Sequence, residues 1–109
     1  MAVQTYTEEV SEAIDEAARE TAKAMAADLR ETSPKDTGEY AKGWTHRKEA
    51  PGSYRVHNKT KPQLTHLLEH GHAKAGGGRV EGIPHIKPAK DRYVPEFEKK
   101  VQQILERGG

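Results

Sequence analysis

The sequence predicts an α+β fold: a long N-terminal helix and a C-terminal helix packed on a small antiparallel sheet, with a short central helix and a flexible Gly-rich loop. Three observations predict it. Apolar residues recur at spacings of three and four along both ends of the chain, two short segments between them flank a Pro-Gly pair, and prolines and glycines punctuate the junctions.

From Thr7 to Leu29, the residues Val10, Ile14, Ala18, Ala22, Met25 and Leu29 form one apolar stripe. The opposite side carries Glu8, Glu12, Asp15, Arg19, Glu20 and Lys23, while Ala13, Ala17, Ala24, Ala26 and Ala27 raise helix propensity without adding much apolar area. Thr7 is the expected N-cap, and acids in the first turns suit the positive end of the helix dipole. A helix of about 25 residues reaches ~38 Å, long for so small a domain, so part of its stripe is expected to face a neighbour. Pro34 ends it, because a residue before proline is pushed out of the α region. In the Pro34-Lys35-Asp36-Thr37-Gly38 turn, Asp36 is expected to accept the Gly38 N–H, with Gly38 free to take a positive φ.

The stretch from Tyr40 to Trp44 is too short to classify. Gly43–Lys48 and Ser53–Asn58 read as strands joined through Pro51-Gly52, the pair a type II turn prefers. Tyr54 and Val56 are expected on the buried face, with Trp44 as the large anchor opposite. Lys61-Pro62 opens a short helix with Leu64, Leu67 and Leu68 on one side, and Gly71 closes it. Ala73 to Gly82 holds four glycines in ten residues and reads as a mobile loop. Ile83 and Ile86 flank Pro84 in an extended lead into the last helix, where Val94, Phe97, Val101, Ile104 and Leu105 repeat at helical spacing. Pro88 is compatible with a helix start, and Pro95 requires either a kink or a first turn that begins there.

A chain of 109 residues reads as one domain spanning 1–109. Leu, Ile, Val and Phe together make up 16 of them, below the roughly 20% that separates most folded chains from disordered ones. Disorder also calls for high net charge, and this chain carries only +1. The combination predicts a folded unit of low intrinsic stability that partners help to order. Cysteine is absent, which excludes a disulfide or a thiolate metal site. No stretch approaches 18 consecutive apolar residues and no cationic start precedes an apolar run, so neither a membrane span nor a signal peptide is expected. Residues 1–33 hold 8 acids and 3 bases, whereas residues 34–92 hold 6 acids and 12 bases. Two readings follow: compensation within one fold, or head-to-tail contact between copies.

None of the chemical motifs assembles a reacting centre, and no catalytic, cofactor or metal residue is assigned. His66 and His70 share a helical face, but His72 lies beyond Gly71 and no familiar ligand spacing is completed. Asp36-Thr37-Gly38 is also the triplet of aspartic proteases, yet there it ends an apolar strand, and here Ser33-Pro34-Lys35 precedes it. The glycine loop lacks the Gly-Lys-Ser/Thr of a phosphate loop, although Lys74, Arg79 and Lys87 suit phosphates or an acidic protein surface. Bases at Lys42, Arg47, Lys48, Arg55, Lys59 and Lys61 lie near Trp44 and Tyr54, so a small nucleic-acid-binding accessory protein is the alternative reading.

Pro34 to Gly38, Leu68-Glu69-His70-Gly71 and Pro84-His85-Ile86-Lys87-Pro88-Ala89, in that order, resemble the gene-product-ten-like head–tail joining or tail-completion proteins of siphophages. The chain departs from the family pattern at His70 and His85, where an aromatic hydrocarbon ring is usual. The resemblance implies that each imidazole replaces a packing ring. It further implies a non-enzymatic virion protein at the phage neck, made in the host cytoplasm and without cofactors. Its copies would close a ring, six in number, between the head-completion protein and the tail terminator or tail tube protein. DNA would pass through without sequence-specific binding, and no membrane is involved. On this reading Lys74, Gly76, Gly77, Gly78, Arg79 and Val80 contact a neighbouring ring, while Pro34, Asp36, Thr37, Gly38, Gly71, Pro84 and Pro88 shape turns.

Overall fold

A computed structural model describes residues 7–35 and 37–108. Its order is α1 (Glu8–Thr32), α2 (Glu39–Lys42), β1 (Trp44–Ala50), β2 (Ser53–Asn58), α3 (Leu64–His70), β3 (Gly71–Ala73), β4 (Arg79–Glu81) and α4 (Ile86–Arg107). This is the expected α+β arrangement of two long helices with small antiparallel sheets. Thr7 caps α1 by accepting the Val10 N–H at 3.1 Å, and Ser33, held extended ahead of Pro34, ends it.

Along α1 the predicted stripe is the buried face, and Ala17 and Ala26 lie inside it as well. Their sequence signal is helix propensity alone, yet both are buried, Ala17 beside Val10 and Ile104 of α4. Val10 and Ala17 cluster with Ile104, and Leu29 with Ala89, so α4 runs back antiparallel along α1. β1 and β2 pair antiparallel from Trp44↔Asn58 to Ala50↔Ser53 around Pro51-Gly52, where Gly52 takes φ +77°. The Asp15 carboxylate on α1 fastens that turn, accepting the Gly52 N–H at 2.8 Å and the Tyr54 hydroxyl at 3.3 Å and pairing with Lys48. Arg92 on α4 pairs with Asp28 on α1, so part of the charge asymmetry is compensated within the chain.

Tyr40 to Lys42, unclassified from the sequence, belong to a helical turn opened by Gly38 at φ +88°. Several expectations are corrected. The glycine segment is not an irregular loop: its flanks pair as β3 and β4, Gly71↔Glu81 to Ala73↔Arg79. Leu67, Val94 and Leu105, expected in apolar stripes, are exposed, as is Ile83. α4 runs through Pro95 as one helix that starts at Ile86, which removes the option of a first turn at Pro95. The Asx turn proposed for Asp36 falls outside the described residues.

The molecule is drawn out. Its radius of gyration is 17.4 Å, against about 13 Å for a compact chain of this length. It exposes 7617 Å², against about 6,000 Å² for a typical monomer of its mass. Among described residues no helix is long and apolar enough to cross a membrane.

Candidate functional site

The Leu68–Gly71 and Pro84–Ala89 segments meet at one junction. Glu69 on α3 is 6% exposed, and its carboxylate is aimed at the start of α4. One oxygen accepts the N–H of His85 and of Ile86, both at 2.8 Å; the other accepts that of Lys87 at 3.0 Å. The next residue, Pro88, has no N–H to satisfy, and the Ala89 N–H already bonds the His85 carbonyl. His85, at the N-cap position, supplies no capping side chain. A remote carboxylate therefore completes the helix end, where the dipole also favours negative charge. Burial pushes the Glu69 carboxyl up, but the N–H groups of Ile86, His85 and Lys87 and the His85 ring outweigh it and hold it below the usual range.

His85 is buried inside an aromatic cluster, edge-on to Tyr40 at 5.5 Å and to Trp44 at 6.4 Å between ring centroids. Its Nδ1 faces the Ile83 carbonyl at 2.7 Å and Glu69 at 3.0 Å, so that nitrogen carries the proton. Nε2 then accepts from the Tyr40 hydroxyl at 2.7 Å. Burial, and after it the charge of Glu69, pushes the Tyr40 hydroxyl up to about 12. Trp44 donates to Ser33 Oγ at 2.8 Å, and Asn58 donates to the Tyr40 carbonyl at 2.7 Å. The polar atoms of the junction satisfy one another, which makes it a clamp. Tyr40→Phe leaves the His85 Nε2 buried without a donor and is expected to cost about 1–2 kcal/mol, read as a lowered urea midpoint.

The clamp holds the β3–β4 hairpin. Gly71 ends α3 at φ +80°, and the Ile83 N–H bonds the Leu68 carbonyl at 2.7 Å. Here the backbones of Gly71 and Gly82 nearly touch: a Cβ on Gly71 would lie 2.3 Å from the Val80 carbonyl oxygen, and one on Gly82 2.5 Å from that of Glu69. Beyond this contact the candidate contact residues Lys74, Gly76, Gly77, Gly78, Arg79 and Val80 are all exposed. Lys74 and Gly78 close the turn, with Gly77 and Gly78 at positive φ, while the Arg79 guanidinium returns to the His70 carbonyl.

The other candidate residues lie apart. Pro34 follows the α1 cap, Thr37 accepts the Glu39 N–H, and Gly38 opens α2. Thr37-Gly38 thus leads into a helical turn rather than out of a strand. Pro84 is exposed in the lead to α4, and Pro88 is the helix's third residue. His70 is exposed, its ring 4.8 Å from that of His66, so it does not pack in the interior as His85 does beside Tyr40 and Trp44. Among the described residues no three or more His, Asp or Glu side chains gather as a metal set. Glu69 is the residue that sequence reasoning missed. Its signal was indirect: a helix starting without Ser, Thr, Asp or Asn at its N-cap needs an acceptor from elsewhere.

The family model described as "Bacteriophage HK97-gp10, putative tail-component" matches residues 2–71 of this chain, more than half of it. The match takes in the Pro34–Gly38 turn and ends at Gly71, just before the rest of the hairpin. No curated protein and no solved structure matches the chain.

Proposed function

The chain belongs to the HK97-gp10-like family of phage tail components, and from that premise we propose that it is a subunit of a ring joining head to tail at the phage neck. The family is structural and its place is the virion; the neck and the ring are the finer reading. The observation that carries it is the mismatch between surface and core. A chain exposing about 1,600 Å² more than a compact monomer of its mass has spare area equal to one partner's share, about 800 Å², of two standard protein interfaces. Its two apolar clusters are small, with buried members limited to Leu29, Tyr40, Trp44 and Ala89 in one and Val10, Ala17 and Ile104 in the other. Such a subunit gains order from neighbours.

On this proposal residues 1–109 act as one non-enzymatic unit without a cofactor. Six copies close the ring, and DNA passes through it without sequence-specific contacts. The β3–β4 hairpin, rigid at the Gly71–Gly82 contact and open at its tip, reaches the head-completion ring or the tail terminator or tube. Deleting Gly76 to Gly78 should leave the Glu69 clamp and the melting transition nearly unchanged while heads and tails fail to join. Complementation of a phage lacking this chain reads the outcome, and normal infectious particles would refute the role given to the hairpin. The nucleic-acid alternative is checked by a mobility shift at physiological salt, where the proposal expects no binding.

A further inference from the structure

Opposite ends of the molecule carry complementary surfaces. At the α1 C-terminal end, a groove of about 570 Å³ opens beside the aromatic cluster. Its floor is apolar, formed by the half-buried Met25, Val56 and Ile86 over the buried Trp44 and Leu29. Its rim is basic: Arg47, Arg55, Lys59 and Lys90. A second hollow of about 360 Å³ continues it, sharing Thr65, Ile86 and Lys90 and adding His66, His70 and Lys87. Glu49 pairs with Arg47 and Arg55, and Asp91 with Lys87, whereas Lys59 and Lys90 make no ion pair among the described residues.

The other end is acidic. Glu8, Glu9 and Glu12 are exposed around a shallow hollow in the first turns of α1 and make no ion pair among the described residues. The last turns of α4 lie against them, since Ile104 clusters with Val10, and they expose Leu105 at 39% together with Glu106. Arg107 is exposed in the same last turn, so the end presents one apolar side chain among the carboxylates of Glu8, Glu9, Glu12 and Glu106 and a single guanidinium.

We infer that the groove receives the α1–α4 tip of a second copy, Leu105 on the apolar floor and Glu8, Glu9 and Glu12 against the basic rim. The inference rests on the ring reading and names its contact. The two surfaces cannot meet within one chain, because Glu8 and Met25 stand about 26 Å apart along a continuous helix. The contact is heterologous, each copy giving its tip and receiving another's, the type of interface from which cyclic rings are built when its rotation closes. A nucleic-acid strand fits the groove less well. Trp44 is buried and Tyr54 is turned to Asp15, so neither offers a face for a base to stack on.

Sedimentation velocity of the full chain at low and high salt tests this. Wild type should associate at low salt and dissociate towards 1 M NaCl, where charges are screened beyond ~3 Å. K59E/K90E and E8K/E12K should each weaken association about tenfold or more, with unchanged melting, and mixing the two variants should restore it through the one reversed pair of surfaces. A wild type that stays monomeric at hundreds of micromolar, or reversals without effect, would overturn the inference. So would duplex DNA that binds wild type and is lost only in K59E/K90E, since the groove would then serve a nucleic acid. Labelled rings in particles that tolerate both reversals would sink this contact and leave the ring reading standing.

Discussion

Glu69→Ala is expected to lower the stability of the chain by about 3 kcal/mol or more, because it leaves the buried N–H groups of His85, Ile86 and Lys87 without their acceptor. For a domain of this length that is a fall of about 15 °C in the melting temperature. Glu69→Gln keeps one acceptor oxygen but turns an amide donor toward another donor, so it should cost roughly half as much. The pair of variants also separates charge from packing. The folded carboxyl titrates below its ordinary value of 4.5, so its contribution is fully present above that pH and is lost as the pH falls through the lower, folded value. Melting wild type and Glu69→Gln from neutral pH down past the lowered value of the folded carboxyl should show the two curves converging once the pH falls below 4.5. A constant gap would mean that the charge does not cap α4.

Gly71→Ala and Gly82→Ala should each destabilise by about 2–4 kcal/mol, for reasons that differ. At Gly82 the obstacle is purely steric, since its Cβ would overlap the Glu69 carbonyl oxygen and the backbone of His70 and Gly71. At Gly71 a comparable overlap with Val80 and Gly82 is joined by φ +80°, so Gly71→Ala should be the worse of the two. Gly76→Ala is the internal control. Its Cβ would meet nothing within 4 Å, and the change is expected within about 0.5 kcal/mol of wild type. Urea midpoints of the three variants decide the matter, and equal losses at Gly71, Gly82 and Gly76 would contradict the close backbone contact.

The elements with strong local signals were legible in the sequence. Apolar spacing located α1, Pro51-Gly52 paired the strands, and Gly71 stopped α3. What escaped were properties set by contacts far apart in the chain. Ala17 and Ala26 read as helix formers because only the approach of α4 and the sheet makes them core. Leu67, Val94 and Leu105 read as core because their period is right, and only the limited number of packing partners leaves them exposed. The glycine run read as a loop because its composition makes order expensive, whereas Gly71 and Gly82 allow the backbone contact that anchors a hairpin there. Glu69 was invisible for the same reason: the group that needs it lies sixteen residues away, in a helix whose own N-cap is silent. The residues that shape the junction could be named from sequence, but their mutual contact could not.

We propose that this elongated chain completes its structure in a ring of its own copies between head and tail. Electron microscopy of particles carrying a label on this chain tests it most directly. Density should be confined to the head–tail junction and arranged as a closed ring. Label spread along the tail tube, or missing from mature particles, would contradict it.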